Sequence, residues 1–224
     1  MHLDSELTLR IDRIVSFLRE ATKNMIPTAS QQIIGIYGRD PFVVLVSCLL
    51  SLRTKDFVSF EASKRLLEVA RTPYEILNLS ADRIAQLIYP VGFYRKKVLV
   101  LFNVSNALVR HYQGAVPQEE ELLLELFGVG RKTANLVRAE AFGIPALCVD
   151  THVHRISNRL GLVKTKTPEE TERALQQLLP KKYWIEINRL LVIWGQNVCV
   201  PQAPFCSRCV LYELCDRVNV TRSR

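Results

Sequence analysis

Lys132 is the side chain best placed for nucleophilic chemistry. It follows the second glycine of Leu126-Phe127-Gly128-Val129-Gly130-Arg131-Lys132-Thr133-Ala134-Asn135 by two residues. A Gly-x-Gly between two helical segments lets the turn take positive φ and lets a phosphate approach the backbone. The N–H groups and the positive end of the following helix then form an anion site. No strand pattern precedes the motif, which argues against a dinucleotide fingerprint. In the first turn of a helix the dipole disfavours an ammonium, and partial burial would disfavour it further. A lysine that loses its proton near neutrality is a nucleophile; a solvated surface lysine is the ordinary alternative. Eighteen residues later, Val149-Asp150-Thr151-His152-Val153-His154-Arg155 sets a carboxylate just before another helix. Taken alone, Asp150 is a helix N-cap. His152 and His154, at i and i+2, do not share a helix face, so no histidine metal site is expected.

The second chemical constellation lies near the C-terminus. Cys199, Cys206, Cys209 and Cys215 are spaced C-x6-C-x2-C-x5-C. Four thiolates so close repel one another unless a cation neutralises them, so a metal centre is expected. Zinc and an iron–sulfur cluster both accept four cysteines. Only one C-x2-C pair is present, where structural zinc more often uses two, so the spacing leans toward iron–sulfur. Cys48 and Cys148 lie in apolar stretches and read as buried core thiols.

Helical signals supply the elements that must hold these residues. Asp40-Pro41 and Thr72-Pro73 each pair an N-cap with a proline at the first helical position. Thr167-Pro168 repeats the pattern, with Glu170 placed to close a capping box. After Pro117, acidic residues fill the first turn of QEEELLLELF. Apolar periodicity predicts further helices over 94–112, 131–142, 152–160 and 183–198. Strand alternation is scarce and no Asn-Gly or Asp-Gly hairpin occurs. The fold class is all-α, with about ten short helices. No Ser/Gly-rich linker and no fixed-period repeat interrupts the chain.

The bulk composition agrees. The 224 residues are 48% hydrophobic and 23% charged, ordinary for a globular chain. The formal charge of +8 is spread along the sequence, with net basic excess in both halves, and suggests a polyanionic partner such as nucleic acid. The longest apolar stretch, Phe42 to Leu50, is far short of the ~20 residues that span a bilayer. The N-terminus, MHLDSELTLRID, lacks the order of a signal peptide. A cytoplasmic, reducing setting without membrane attachment is expected, which makes disulfides a poor account of six cysteines.

Together, the hairpin from Leu126 to Asn135, Gly143-Ile144-Pro145 followed by Val149-Asp150, and the four cysteines resemble the endonuclease III branch of the helix-hairpin-helix DNA glycosylases. The resemblance covers about residues 40–217. It implies two all-α lobes: a six-helix barrel over 34–144, and a discontinuous lobe from 1–33 and 145–224 that carries a cluster loop at 199–215. It implies that Lys132 attacks C1′ of the damaged nucleotide as a Schiff-base nucleophile, and that Asp150 stabilises the positive charge developing on the sugar. Cys199, Cys206, Cys209 and Cys215 would ligate one 4Fe–4S cluster. Gly128, Gly130 and Arg131 would grip the backbone of double-stranded DNA carrying damaged bases or abasic sites. Arg53 and Phe93 would enter the duplex as wedges, and His152, Arg155 and Arg208 would add further DNA contacts. A monomer is expected.

The resemblance implies a base-excision repair enzyme that removes oxidised pyrimidines and then cleaves the abasic site. Two positions depart from the family pattern. Phe127 replaces a usual proline, read as a packing difference. Arg53 replaces a glutamine, which bears on how the orphaned base is read. Adenine and thymine-mismatch glycosylases of the same fold are the nearest alternatives. They typically carry a small hydroxyl residue or a tyrosine where this chain has Lys132. A non-catalytic hairpin module is the alternative of another class, and having both Lys132 and Asp150 counts against it.

Overall fold

Helix α3 shows how this sequence makes a core. Asp40 accepts from the amides of Phe42 and Val43 at 2.9 and 3.0 Å, Pro41 occupies the first helical position, and all nine residues from Phe42 to Leu50 are buried. A helix apolar on every side must be surrounded. In this computed structural model, which describes residues 5–224, α3 (Pro41–Ser51) packs against α2 (Ala29–Tyr37), α4 (Asp56–Leu67), α7 (Tyr94–Tyr112) and α9 (Arg131–Phe142). The short helices α5 (Pro73–Leu77) and α6 (Ala81–Ile88) pack on α7, and α8 (Glu120–Glu125) on α9. These eight helices form one unit, Thr28–Ile144. The boundary at 34 would have cut through α2, which here lies wholly inside the unit.

The other unit joins Met1–Pro27 to Pro145–Arg224, and the first four positions lie outside the described residues. Helix α1 (Ser5–Thr22) packs on α12 (Trp184–Asn197), as does α10 (Thr151–Arg159), while α11 (Pro168–Leu178) packs on α10. The core gathers Ile11, Leu18, Val153, Ile156, Leu191 and Trp194. Three 3₁₀ turns complete the described elements, at Lys181–Tyr183, Cys206–Arg208 and Tyr212–Leu214. The described residues contain twelve α-helices and no strand, so the all-α expectation holds.

Caps follow the sequence signals closely, with one exception. Thr72 and Glu75 close a full capping box at α5. At α11, Thr167 caps the Glu170 amide, but the Glu170 carboxylate reaches one residue further back, to the Lys166 amide at 2.7 Å. The last two 3₁₀ turns lie within the cysteine segment, and the chain after them returns to it, the Ser207 amide donating to the Arg224 carbonyl at 3.0 Å and the Arg224 amide to the Pro204 carbonyl at 2.8 Å. No helix among the described residues is long and apolar enough to cross a membrane.

Candidate active site

The hairpin is built from local signals. Helix α8 is C-capped by Leu126, the Val129 amide returns to the Leu126 carbonyl at 3.0 Å, and both apolar side chains are buried. Gly128 takes φ +81°, and a Cβ there would stand 2.9 Å from Val100 Cγ1. Gly130 is extended, caps α9 without a side chain, and a Cβ there would meet nothing within 4 Å. The first glycine is thus required by the fold, and the second is not. Arg138 on α9 pairs with Glu120 in the first turn of α8 at 2.8 Å, which holds the two helices in register. Arg131 and Lys132 are exposed on the first turn of α9. The expectation for Phe127 needs correction: the ring is 59% exposed, so it packs no core and stands at the hairpin tip. Behind the hairpin, burial pushes the Cys48 thiol up to about 12, with the Lys132 charge pulling the other way, so that thiol stays protonated and inert.

In the same unit, two turns display Arg53 and Phe93, the residues expected to enter the duplex. Arg53 and Phe93 are both exposed, both have positive φ (+52° and +57°), and the guanidinium carbon lies 5.6 Å from the Phe93 ring centroid. The turns approach closely at Gly92, where a Cβ would sit 2.4 Å from the Arg53 carbonyl oxygen. Lys97, on α7, is buried beneath them. Its ammonium donates to the carbonyls of Leu50 and Leu52 at 2.6 and 2.7 Å and to Thr54 Oγ1 at 3.1 Å. Burial lowers its pKa to about 8. Sequence reasoning missed Lys97. The signal was available, since Lys97, Leu101, Val104 and Leu108 share the buried stripe of α7 at helical spacing.

In the other unit, Asp150 caps α10. Its Oδ1 accepts from the amides of His152 and Val153, both at 2.9 Å, leaving Oδ2 outside the cap. The geometry repeats that of Asp40 on α3. His152 and His154 diverge as the helical spacing requires: His152 Nδ1 meets Arg155 at 3.1 Å, and His154 Nδ1 meets the Thr171 hydroxyl at 2.6 Å. The expected DNA contact at Arg155 is also corrected. Its Nη2 donates inward, to the carbonyls of Cys199 at 2.8 Å and Gly195 at 3.2 Å, and burial lowers its pKa. It straps α10 to the start of the cysteine segment. Arg208 is exposed, lies 4.0 Å over the Phe205 ring and donates to the Asn197 carbonyl at the end of α12.

Cys199, Cys206, Cys209 and Cys215 line one small pocket, walled by Val198, Pro204, Phe205 and Val220. Burial raises the pKa of Cys209 and Cys215. Arg159, also missed in the sequence, enters this pocket; its Nη1 lies 3.3 Å from Cys199 Sγ and donates to the Val200 carbonyl. Among the described residues, no three His, Cys, Asp or Glu side chains converge tightly enough for a single ion.

The sequence family described as "HhH-GPD superfamily base excision DNA repair protein" matches residues 46–181. The chain is also 48% identical over 197 residues to "Endonuclease III" of Thermotoga maritima, covering 86% of this chain and 92% of that one. This chain belongs to the HhH-GPD superfamily. It is a base-excision DNA repair enzyme of the endonuclease III type, a DNA glycosylase and abasic-site lyase, and DNA is its partner. It is 45% identical to "Endonuclease III homolog 2, chloroplastic" of Arabidopsis thaliana over 78% of its own length, but spans only 47% of that longer protein. Among solved structures it is similar to "Structure of a Trapped Endonuclease III-DNA Covalent Intermediate: Estranged-Adenine Complex", with TM-score 0.82, 32% identity, and 94% and 96% of the two chains covered. The HhH-GPD match contains both Lys132 and Asp150, and ends before the four cysteines.

Proposed function

We propose that this enzyme excises oxidised pyrimidines from double-stranded DNA and cuts the resulting abasic site through a Schiff base on Lys132. The observation that carries this reading is the hairpin itself. An exposed lysine stands on the first turn of α9, beside a glycine whose missing Cβ leaves open space for a phosphate. Likeness to a trapped covalent endonuclease III–DNA intermediate supports it. A base inside a duplex must first be flipped out, at a cost of about a few kcal/mol. As the bond from C1′ to the base breaks, the sugar gains oxocarbenium character, whose positive charge the Asp150 carboxylate stabilises electrostatically. Lys132 Nζ forms the new bond to C1′, and loss of its protons and opening of the sugar ring give an iminium. That iminium acidifies C2′, and loss of the C2′ proton expels the 3′ phosphate. Gly128, Gly130 and Arg131 would hold the DNA backbone, and His152 and Arg208 would add contacts.

The cysteine pocket fits a 4Fe–4S cluster better than zinc. Four sulfur donors line one largely apolar pocket, and the chain has only one C-x2-C pair where structural zinc more often uses two. When bound, the cluster would supply a covalent framework for the segment from Cys199 to Cys215. Purified protein should be yellow-brown with about four irons per chain; one zinc per chain and no visible absorbance would overturn this.

The substrate class is tested with duplexes carrying one oxidised pyrimidine, one G:T mismatch, or adenine opposite an oxidised guanine. Rapid excision of the oxidised pyrimidine, coupled to strand cleavage, is expected. Asp150→Asn should retain the cap, since Asn caps as well as Asp, yet lose excision by about 100-fold. Preferential removal of thymine or adenine without strand cleavage would overturn the reading.

A further inference from the structure

Three hydrogen bonds from one buried ammonium account for how the two wedge turns are held. The carbonyls of Leu50 and Leu52 lie at the C-terminal end of α3, where a helix leaves carbonyl groups without intrahelical partners. A cation there meets the negative end of the dipole. Thr54 extends the link. Its hydroxyl donates to the Leu52 carbonyl at 3.2 Å, and accepts from Lys97 Nζ at 3.1 Å and from the Gly92 amide at 3.0 Å. One donor and two lone pairs are the whole capacity of a hydroxyl, so Thr54 Oγ1 is saturated. Gly92 adjoins Phe93, and Thr54 adjoins Arg53. Both wedge residues have left-handed backbone conformations, which cost about 1–2 kcal/mol each for a residue with a side chain and persist only under surrounding constraint. Phe93 begins α7 without any side-chain cap. Local turn bonds shape each turn, and Lys97 and Thr54 tie the two turns to each other and to the end of α3.

We propose that Lys97 is a positioning residue that, through Thr54, locks the Arg53 and Phe93 turns into one rigid wedge for the DNA duplex. The inference rests on the base-excision reading and extends it to how the wedge is built. Lys97 touches no reacting atom; it sets where two exposed side chains stand. A flexible wedge would still bind the backbone, but would fill the vacated stack poorly and hold the flipped nucleotide for less time.

The test uses the full-length protein and two duplexes, one with an oxidised pyrimidine and one with a ready-made abasic site, each with 2-aminopurine opposite the lesion. Thr54→Val removes the bridging hydroxyl at nearly constant volume; Lys97→Met removes the ammonium. Excision of the oxidised base should fall at least about tenfold, as expected for misplaced positioning groups. Cleavage at the abasic site should change less than about threefold, because no base remains to be unstacked. The 2-aminopurine brightening on binding should weaken in both variants. If Lys97→Met does not fold, Thr54→Val carries the test alone. Equal losses on both duplexes, or unchanged excision and brightening in folded Thr54→Val, would overturn the inference. Wild-type protein that cuts neither duplex would instead overturn the base-excision reading, and this inference with it.

Discussion

The glycine hairpin and the wedge turns solve the same backbone problem in opposite ways. At the hairpin the left-handed residue is Gly128, which adopts φ +81° without side-chain penalty, and buried Leu126 and Val129 anchor either side. At the wedges the left-handed residues are Arg53 and Phe93, held by a buried lysine and a saturated threonine hydroxyl. The hairpin is thus written in its own residues and leaves its tip bare for a close backbone approach. The wedge turns are imposed by long-range contacts, which frees two left-handed positions to carry large exposed side chains. Under the proposed function, gripping a phosphate would benefit from the first arrangement, and filling a gap between bases from the second.

Substitutions at the two turns sharpen this contrast. Gly128→Ala combines positive φ with a Cβ 2.9 Å from Val100, so it should lower stability by about 2 kcal/mol, or roughly 5 °C in Tm, by thermal denaturation. Gly130→Ala should cost under about 1 kcal/mol of stability, since only the cap preference is lost. It should nevertheless weaken DNA binding about tenfold, because the added methyl would hold a phosphate off the backbone amides and cost about one charge-assisted hydrogen bond, roughly 1.5 kcal/mol. Normal binding by Gly130→Ala would make that glycine a simple linker. The smallest effect belongs to Arg53→Gly, which relieves left-handed strain and should raise stability by less than about 1 kcal/mol. A drop instead would mean that the contact of Arg53 with Phe93 outweighs the strain.

What could be read in the sequence follows the same division. Helix starts at Pro41, Pro73 and Pro168, the helix over 94–112 and the hairpin were legible because their causes lie within a few residues of each other. The apolar stripe of its helix marks Lys97 as buried, but its partners and those of Arg159 are main-chain carbonyls about 40 or more residues away, which the local sequence does not name. Phe127 and Arg155 were misjudged for the same reason: exposure at a hairpin tip and an inward guanidinium depend on tertiary packing. Asp150 shows a different limit. Its cap is nearly superposable in its distances on that of Asp40, so geometry alone does not separate a catalytic carboxylate from a structural one. The order of motifs around it carries that distinction.

Borohydride trapping tests the central claim most directly. Wild-type protein incubated with an abasic-site duplex and borohydride should form a stable enzyme–DNA adduct, with the modified residue mapped to Lys132. Lys132→Gln should form none while still binding the duplex, because an amide side chain cannot give an iminium. An adduct of equal yield in Lys132→Gln, or one mapped to another lysine, would contradict the account.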